Sequence, residues 1–370
     1  MNSLGLYLHV PFCKQKCAYC DFYSRSDLSL VAPYCDALCR SLSAFPTSFE
    51  RTVDTVYFGG GTPSLFSPEQ IAQVFSALHS RYRIEEGAEI TMEMNPESAT
   101  EPVLNAAARA GVNRISFGMQ SALPAELERI GRIHSLTHVQ KAVALARSVG
   151  IDNINLDLMY GLPDQTLASF SHSLKEALCL LPEHISFYAL TLSSDVPLAK
   201  AGVSLPTDEE VRAMYLYACR FLEENGYRQY EISNAARKGF ACRHNRHTWQ
   251  CREYLGFGPG AHSFFQGRRF SFPCDLQGFI ASDHFEGLIQ VHEEITPFQR
   301  LEEYILLSLR LVDGIDLATV EDLGGRKMRE NIEEKFRRYC SFGLALPTDA
   351  GYRLTPEGFF VSNAILCELI

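Results

Sequence analysis

Through the first two-thirds of the chain, short runs rich in Val, Ile, Leu, Phe and Tyr alternate with longer stretches whose apolar residues recur every three or four positions. The short runs predict strands at Leu4–Val10, Thr55–Gly60, Glu89–Asn95, Arg114–Met119, Asn153–Met159 and His184–Leu192. Between them the longer period predicts amphipathic helices near 27–44, 68–81, 101–110, 137–149 and 166–180. Strand and helix in alternation imply parallel pairing through right-handed crossovers. Six such units are fewer than the eight that close a barrel, so the pattern predicts an α/β fold built on a partial (β/α)6 TIM-like barrel. In folds of this kind the chemistry gathers at the C-terminal ends of the strands.

Further on, a helix is predicted over 207–225 and a strand over Tyr227–Ser233, followed by CRHNRHTWQC (242–251) and a glycine-rich YLGFGPGAHSF. The last third changes character. Leu301, Tyr304, Ile305 and Leu309 fall at helical spacing, a second helix is predicted over 327–340, and GLALPTDAGYRLTPEGF reads as a short hairpin leading into a final helix. These shifts divide the chain into a core at 1–235, a connecting segment at 236–290 and a small, mainly helical domain at 291–370.

Composition narrows the class. The 370 residues are 46% hydrophobic and 21% charged, as in a globular protein with a sizeable core. A net charge of −10 counts against a nucleic-acid binder, which would present a basic face. No apolar run is long enough to span a membrane. Met1 to Val10 lacks the charged–apolar–small pattern of a secretory leader, and twelve Cys without one suggest reduced thiols in a cytoplasm.

The candidate chemistry begins at Leu4–Phe22, LGLYLHVPFCKQKCAYCDF, where an apolar run leads straight into Cys13, Cys17 and Cys20. Three thiolates so close can converge on one metal centre, and an odd number cannot all pair as disulfides. Iron–sulfur clusters are normally held by four Cys, so three would leave one iron open to a small ligand. A zinc site with a distant fourth ligand and plain buried thiols are the other readings of this spacing. The other nine Cys are scattered, as small buried hydrophobes are.

CxxxCxxC directly after YLHVPF resembles the cluster loop of radical S-adenosylmethionine (SAM) proteins. More narrowly, it resembles the group containing oxygen-independent coproporphyrinogen III oxidase and its haem-chaperone relatives. The resemblance runs over almost the whole chain. It implies that Cys13, Cys17 and Cys20 hold a [4Fe-4S] cluster whose fourth iron is chelated by SAM. It also implies a compact, winged-helix-like C-terminal domain. YFGGGTPS, which alone would be an ordinary tight turn, matches the family's SAM loop and brings in Gly60, Gly61 and Thr62. Glu93 in EMNPE would otherwise be a solvent-facing strand residue. With Gln120 in SFGMQS, Arg132 in IGRIH and Asp157 in LDLMYGLP, it matches motifs placed around SAM, and Tyr7 matches a family Tyr that touches it. Arg suits a carboxylate and Asp suits ribose hydroxyls.

Two functions of different classes follow from the resemblance: a coproporphyrinogen III oxidase, which decarboxylates two propionates by radical chemistry, and a haem carrier. The oxidase branch has a further Cys two places after the third, where this chain has Phe22, and a substantial segment before the loop, where this chain has a dozen residues. HNRHTW corresponds to the HNxxYW of the chaperone branch, in which the His is implicated in holding haem. That residue is His244 here, beside Asn245 and Trp249, with Thr248 in place of the Tyr; His247 has no counterpart. Imidazole is a standard haem ligand, and a lone His is also commonly just a hydrogen-bonded side chain. The GxGAHS-like loop is expected to cap the barrel mouth. The chaperone branch implies haem as the bound cargo, haem-accepting proteins as partners, membrane-associated respiratory enzymes among the candidates, and no nucleic acid. An RNA-modifying radical SAM protein would want a basic appendage, and none is evident.

Overall fold

The computed structural model describes residues 3–43 and 51–370. The first half is the expected alternation. Strands β1 (Leu4–Val10), β2 (Thr52–Gly60), β3 (Arg83–Met94), β4 (Arg114–Gln120), β5 (Asn153–Tyr160) and β6 (His184–Ala189) run parallel, side by side in chain order. Between them come α1 (Val31–Ser41), α2 (Pro68–Arg81), α3 (Glu101–Ala110), α4 (Pro124–Arg129), α5 (Leu136–Ser148) and α6 (Leu167–Cys179). Position 44, the last of the first predicted helix, lies outside the described residues. Local signals set these boundaries. α2 begins at a capping box between Ser67 and Gln70 with Pro68 at its first turn, and α3 ends on Gly111 at φ 101°.

Parallel strands are usually apolar on both faces, but these alternate. In β4, Ile115, Phe117 and Met119 are fully buried under the helices. Arg114, Ser116, Gly118 and Gln120 face the opposite way and line an interior cavity. Glu93 in β3, Asn155 and Asp157 in β5, and Ser186 and Tyr188 in β6 repeat the pattern. The inside of the partial barrel is therefore a polar chamber, and the hydrophobic core lies between sheet and helices.

The chain continues through α7 (Pro197–Lys200), α8 (Asp208–Glu224), β7 (Arg228–Glu231), β8 (Asn234–Ala236) and α9 (Arg243–Trp249). Then follow β9 (Tyr254–Phe257), β10 (His262–Phe265), β11 (Arg268–Ser271), α10 (Leu276–Ala281) and β12 (Gln290–Glu294). The stretch 236–290, expected as a connector, is in fact part of the sheet. β9 pairs in parallel with β1, and β10, β11 and β12 extend that edge antiparallel; β8 and β7 extend the β6 edge, giving twelve strands in all. The four-residue strands are too short to show a period in sequence. HNRHTW, for which the sequence predicted no element, lies in helix α9. The GxGAHS-like turn after β9 sits beside the cysteine loop, where a side chain on Gly258 would crowd His9 O and Tyr34 Oη; it does not line the cavity it was expected to cap.

The C-terminal part runs α11 (Pro297–Ser308), β13 (Ile315–Asp316), α12 (Leu317–Gly324), α13 (Arg326–Ser341), β14 (Ala345–Pro347), β15 (Gly351–Leu354), α14 (Pro356–Phe360) and α15 (Ser362–Leu369). Helix, strand, two helices and a hairpin in that order, with the strands in a small antiparallel sheet, is the winged-helix arrangement. It docks on β7 and α8. Ile232 N–H donates to Arg310 O at 2.9 Å, Val312 N–H to Tyr230 O at 3.0 Å, and Arg212 Nε to Glu357 at 2.9 Å.

Candidate functional site

The three cysteines sit on the loop that leaves the C-terminal end of β1. The loop is zipped shut at its base, where Cys13 N–H donates to Arg25 O at 3.0 Å and Arg25 N–H to Pro11 O at 2.8 Å. Its middle is pinned to the β4–α5 connection, Ala18 N–H donating to Ile130 O at 3.0 Å. Cys13, Cys17 and Cys20 are half-buried, unbridged and on the wall of one cavity of about 420 Å³. Burial pushes the Cys17 and Cys20 thiols up, opposed at Cys17 by the Arg132 guanidinium. Metal binding would remove those protons.

These residues fit an iron–sulfur cube by their chemistry: a [4Fe-4S] cube takes thiolates on separate irons, and Cys13, Cys17 and Cys20 are unbridged thiols on one cavity wall.

Around the loop a second layer is rigidly built. Gly60 has φ 101°, and a side chain there would overlap the His9 ring; one on Gly61 would overlap the backbone of Val10 and Phe12. Only glycine fits this close approach of β2's end to β1. Gly60 N–H donates to Glu93 Oε2 at 3.1 Å, and Tyr57 Oη to Glu93 Oε1 at 2.8 Å. Burial still raises the Glu93 carboxyl to about 7, against those two donors. Asp157 accepts from Asn155 Nδ2 at 2.7 Å and Ser116 Oγ at 3.2 Å, and it too is pushed up by burial.

Arg132, fully buried, ties the loop to the strand ends. Its Nη1 donates to Asn95 Oδ1 at 2.6 Å and its Nη2 to Tyr19 Oη at 2.9 Å. Asn95 Nδ2 donates in turn to Thr62 Oγ1 at 3.0 Å, and Thr62 Oγ1 to Cys13 Sγ at 3.6 Å. Gly118 leaves the room that Gln120 and Arg132 occupy, and Gln120 itself turns through a left-handed φ of 60° to end β4.

Of the residues expected in the site, Cys13, Cys17, Cys20, Gly60, Gly61, Glu93, Gln120, Arg132 and Asp157 share the cavity wall. Thr62, Tyr7 and His244 do not. Thr62 stands behind Cys13. Tyr7 lies one layer down, donating to or accepting from His9 Nδ1 at 3.1 Å and stacked near Tyr57. His244 is deeper still. Its ring stacks on Tyr57 at 5.0 Å, its Nδ1 meets Thr55 Oγ1 at 3.0 Å, and burial lowers its imidazole to about 3, so it is neutral. Its neighbour Asn245 does reach the cavity, while His247 turns to Asp54 at 3.0 Å. Helix α9 thus closes the N-terminal end of the barrel. Tyr19, Tyr57, Asn95, Arg114, Asn155 and Tyr188 were not singled out from the sequence. Asn95 and Tyr19 stood inside motifs already noticed; the others had only strand alternation to mark them.

The same arrangement is met in known proteins. Residues 7–177 match the radical SAM superfamily and residues 295–361 the HemN C-terminal domain. "Heme chaperone HemW" of Haemophilus influenzae is 35% identical over 338 residues, 88% of this chain and 87% of that protein. "Radical S-adenosyl methionine domain-containing protein 1, mitochondrial" of Danio rerio is 38% identical over 392 residues, 99% of this chain and 86% of the relative. The structure of coproporphyrinogen III oxidase (HemN) from Escherichia coli superposes with a TM-score of 0.85 at 22% identity, over all of this chain and 90% of that one, a likeness of fold.

Proposed function

This chain belongs to the HemW heme-chaperone family of the radical SAM superfamily, and from that premise we propose that it binds haem and delivers it to acceptor proteins. The observation that carries the reading is identity of 35% with a heme chaperone along nearly the full length of both chains. The protein binds a [4Fe-4S] cluster and SAM besides haem. Cys13, Cys17 and Cys20 would hold the cluster, which when bound supplies an iron with a position for SAM and a route for one electron. Gly60 and Gly61 bring backbone close to the ligand. Glu93 and Asp157, each fixed by two donors, offer carboxylate oxygens to amino and hydroxyl groups. Arg132 holds Tyr19 and Asn95 in place behind the cluster loop.

His244 is the haem-ligand candidate. In the conformation described it is sealed behind Tyr57, so it serves haem iron only when α9 leaves the barrel floor. Among the described residues no helix is long and apolar enough to cross a membrane. Twelve unbridged cysteines suit a reducing compartment, and we place the protein in the cytoplasm, with acceptors that include membrane-bound respiratory enzymes.

The test is anaerobic spectroscopy of the reconstituted protein, with haem titration run beside a coproporphyrinogen III turnover assay containing SAM and a reductant. Stoichiometric haem binding without consumption of coproporphyrinogen is expected, and robust decarboxylation would replace the chaperone by the oxidase. Cys17→Ser should remove the broad visible absorbance of the cluster. His244→Ala should weaken haem binding, and unchanged affinity would move the iron ligand elsewhere.

A further inference from the structure

The floor of the cavity carries a guanidinium without a hydrogen-bond partner. Arg114 is 2% exposed, and among the described residues its side chain makes no hydrogen bond and no ion pair; its Nε is sealed from water and from any acceptor. A guanidinium does not escape burial by losing its proton. A buried charge with nothing in contact is costly unless something arrives to meet it. Glu89, the carboxylate that acts on Arg114 most, is already engaged. It accepts from Cys242 Sγ at 3.3 Å and from the N–H groups of Arg243 and His244 at 2.9 and 3.0 Å, capping the start of α9. Glu93 and Asp157 are likewise held by their own donors.

Arg114 nonetheless lines the cavity, in company with Ser186 and Asn245. It begins β4, opposite Asn153 of β5, whereas Gln120 at the far end of β4 stands beside the cluster loop. Six residues of strand put the two levels roughly 20 Å apart. The Arg114 backbone therefore starts well below the cysteine loop, and its guanidinium acts upward on the Glu93 and Asp157 carboxyls without a hydrogen bond or ion pair to either.

We propose that Arg114 anchors a second small-molecule site on the barrel floor, one that receives a carboxylate group. The guanidinium fork matches a carboxylate through two parallel hydrogen bonds, and Asn245 lines the same cavity. Glu93 and Asp157 face the same space from above. They favour a ligand whose body is neutral or cationic where it passes them, and the burial that pushes both carboxyls up lessens their opposition to an anion. The site is read out with propionate and the haem reading with haem titration, so the failure of one is distinguishable from the failure of the other.

Thermal unfolding of the full chain at pH 6.5 and matched ionic strength tests this, with propionate as probe and propionamide as its uncharged twin. A ligand that binds only the folded state raises the unfolding temperature. Propionate should raise it and propionamide should not. Arg114→Met should abolish the propionate effect. Arg114→Lys, which keeps the charge without the fork, should retain part of the effect and serves if the Met variant does not fold. Equal responses to the two probes, or an undiminished propionate response in either variant, would overturn the site. So would early unfolding of Arg114→Met that Glu89→Gln reverses, since Arg114 would then be Glu89's structural counter-charge.

Discussion

At neutral pH the buried carboxyl of Glu93 stands near its midpoint, at about 7 against 4.5 for an exposed Glu, because burial outweighs the donations from Tyr57 and Gly60. Between pH 4.5 and 7 the folded chain holds more protons than the unfolded one, so this group makes stability fall as pH rises through that window. The full effect is of order 3 kcal/mol. Glu93→Gln should flatten the slope. Urea unfolding of cluster-free protein at pH 5 and pH 8 should show a smaller loss in the variant than in the parent, and parallel losses would mean that the carboxyl is not buried as described. The sequence marked Glu93 by its place in the EMNPE motif, but not the partners that set its charge. Tyr57 and Gly60 are 36 and 33 residues away. Arg114 was invisible for the same reason: read alone, a charged residue at a strand's start is an ordinary solvent contact.

Among the elements, the turn after β2 depends most on its residue type. Gly60→Ala faces two penalties, a left-handed φ of 101° and overlap with the His9 ring. That ring cannot swing aside cheaply, because Tyr7 Oη and Tyr23 O hold both its nitrogens. Gly87 also has a positive φ, 77°, but open space around it. Gly87→Ala should therefore cost about 1–2 kcal/mol from backbone conformation alone, and Gly60→Ala clearly more, with weaker SAM binding. Denaturant midpoints and SAM titration of the two variants check this, and equal costs would show that the His9 contact carries no penalty. Strand and helix positions in the first half were legible because each element is long enough to show its period. Helix α9 was not: RHNRHTW has seven residues, two buried histidines and no apolar stripe. It is held as a helix by Glu89 at its start and by Thr55 and Asp54 on β2, contacts that no local pattern encodes.

For the whole molecule, the strand that carries the cysteine loop is flanked by β2 on one side and by β9, some 250 residues later, on the other. The cluster site is thus finished only when the far part of the chain folds back. A fragment of residues 1–235 would leave β1 as a bare edge, open to pairing with other chains. It should aggregate and fail to assemble a cluster, whereas residues 1–296, which keep β9 to β12, should assemble one. Visible absorbance and far-ultraviolet circular dichroism of the two fragments decide it, and a soluble, cluster-bearing 1–235 would show that β9 is dispensable.

What the sequence determined by itself was local in origin: six strand–helix units, the thiol trio, the glycines after β2 and a family likeness spread over motifs in fixed order. Each rests on residues near one another in the chain, where period and spacing carry the signal. Tertiary structure alone decided that β1 is an inner strand, that His244 closes the barrel floor instead of facing the cavity, and that the Arg114 Nε is buried without a hydrogen bond. Those outcomes depend on which distant side chains come to share a low-dielectric interior, and there the cost of an unmet charge or hydrogen bond depends on partners that spacing along the chain does not reveal.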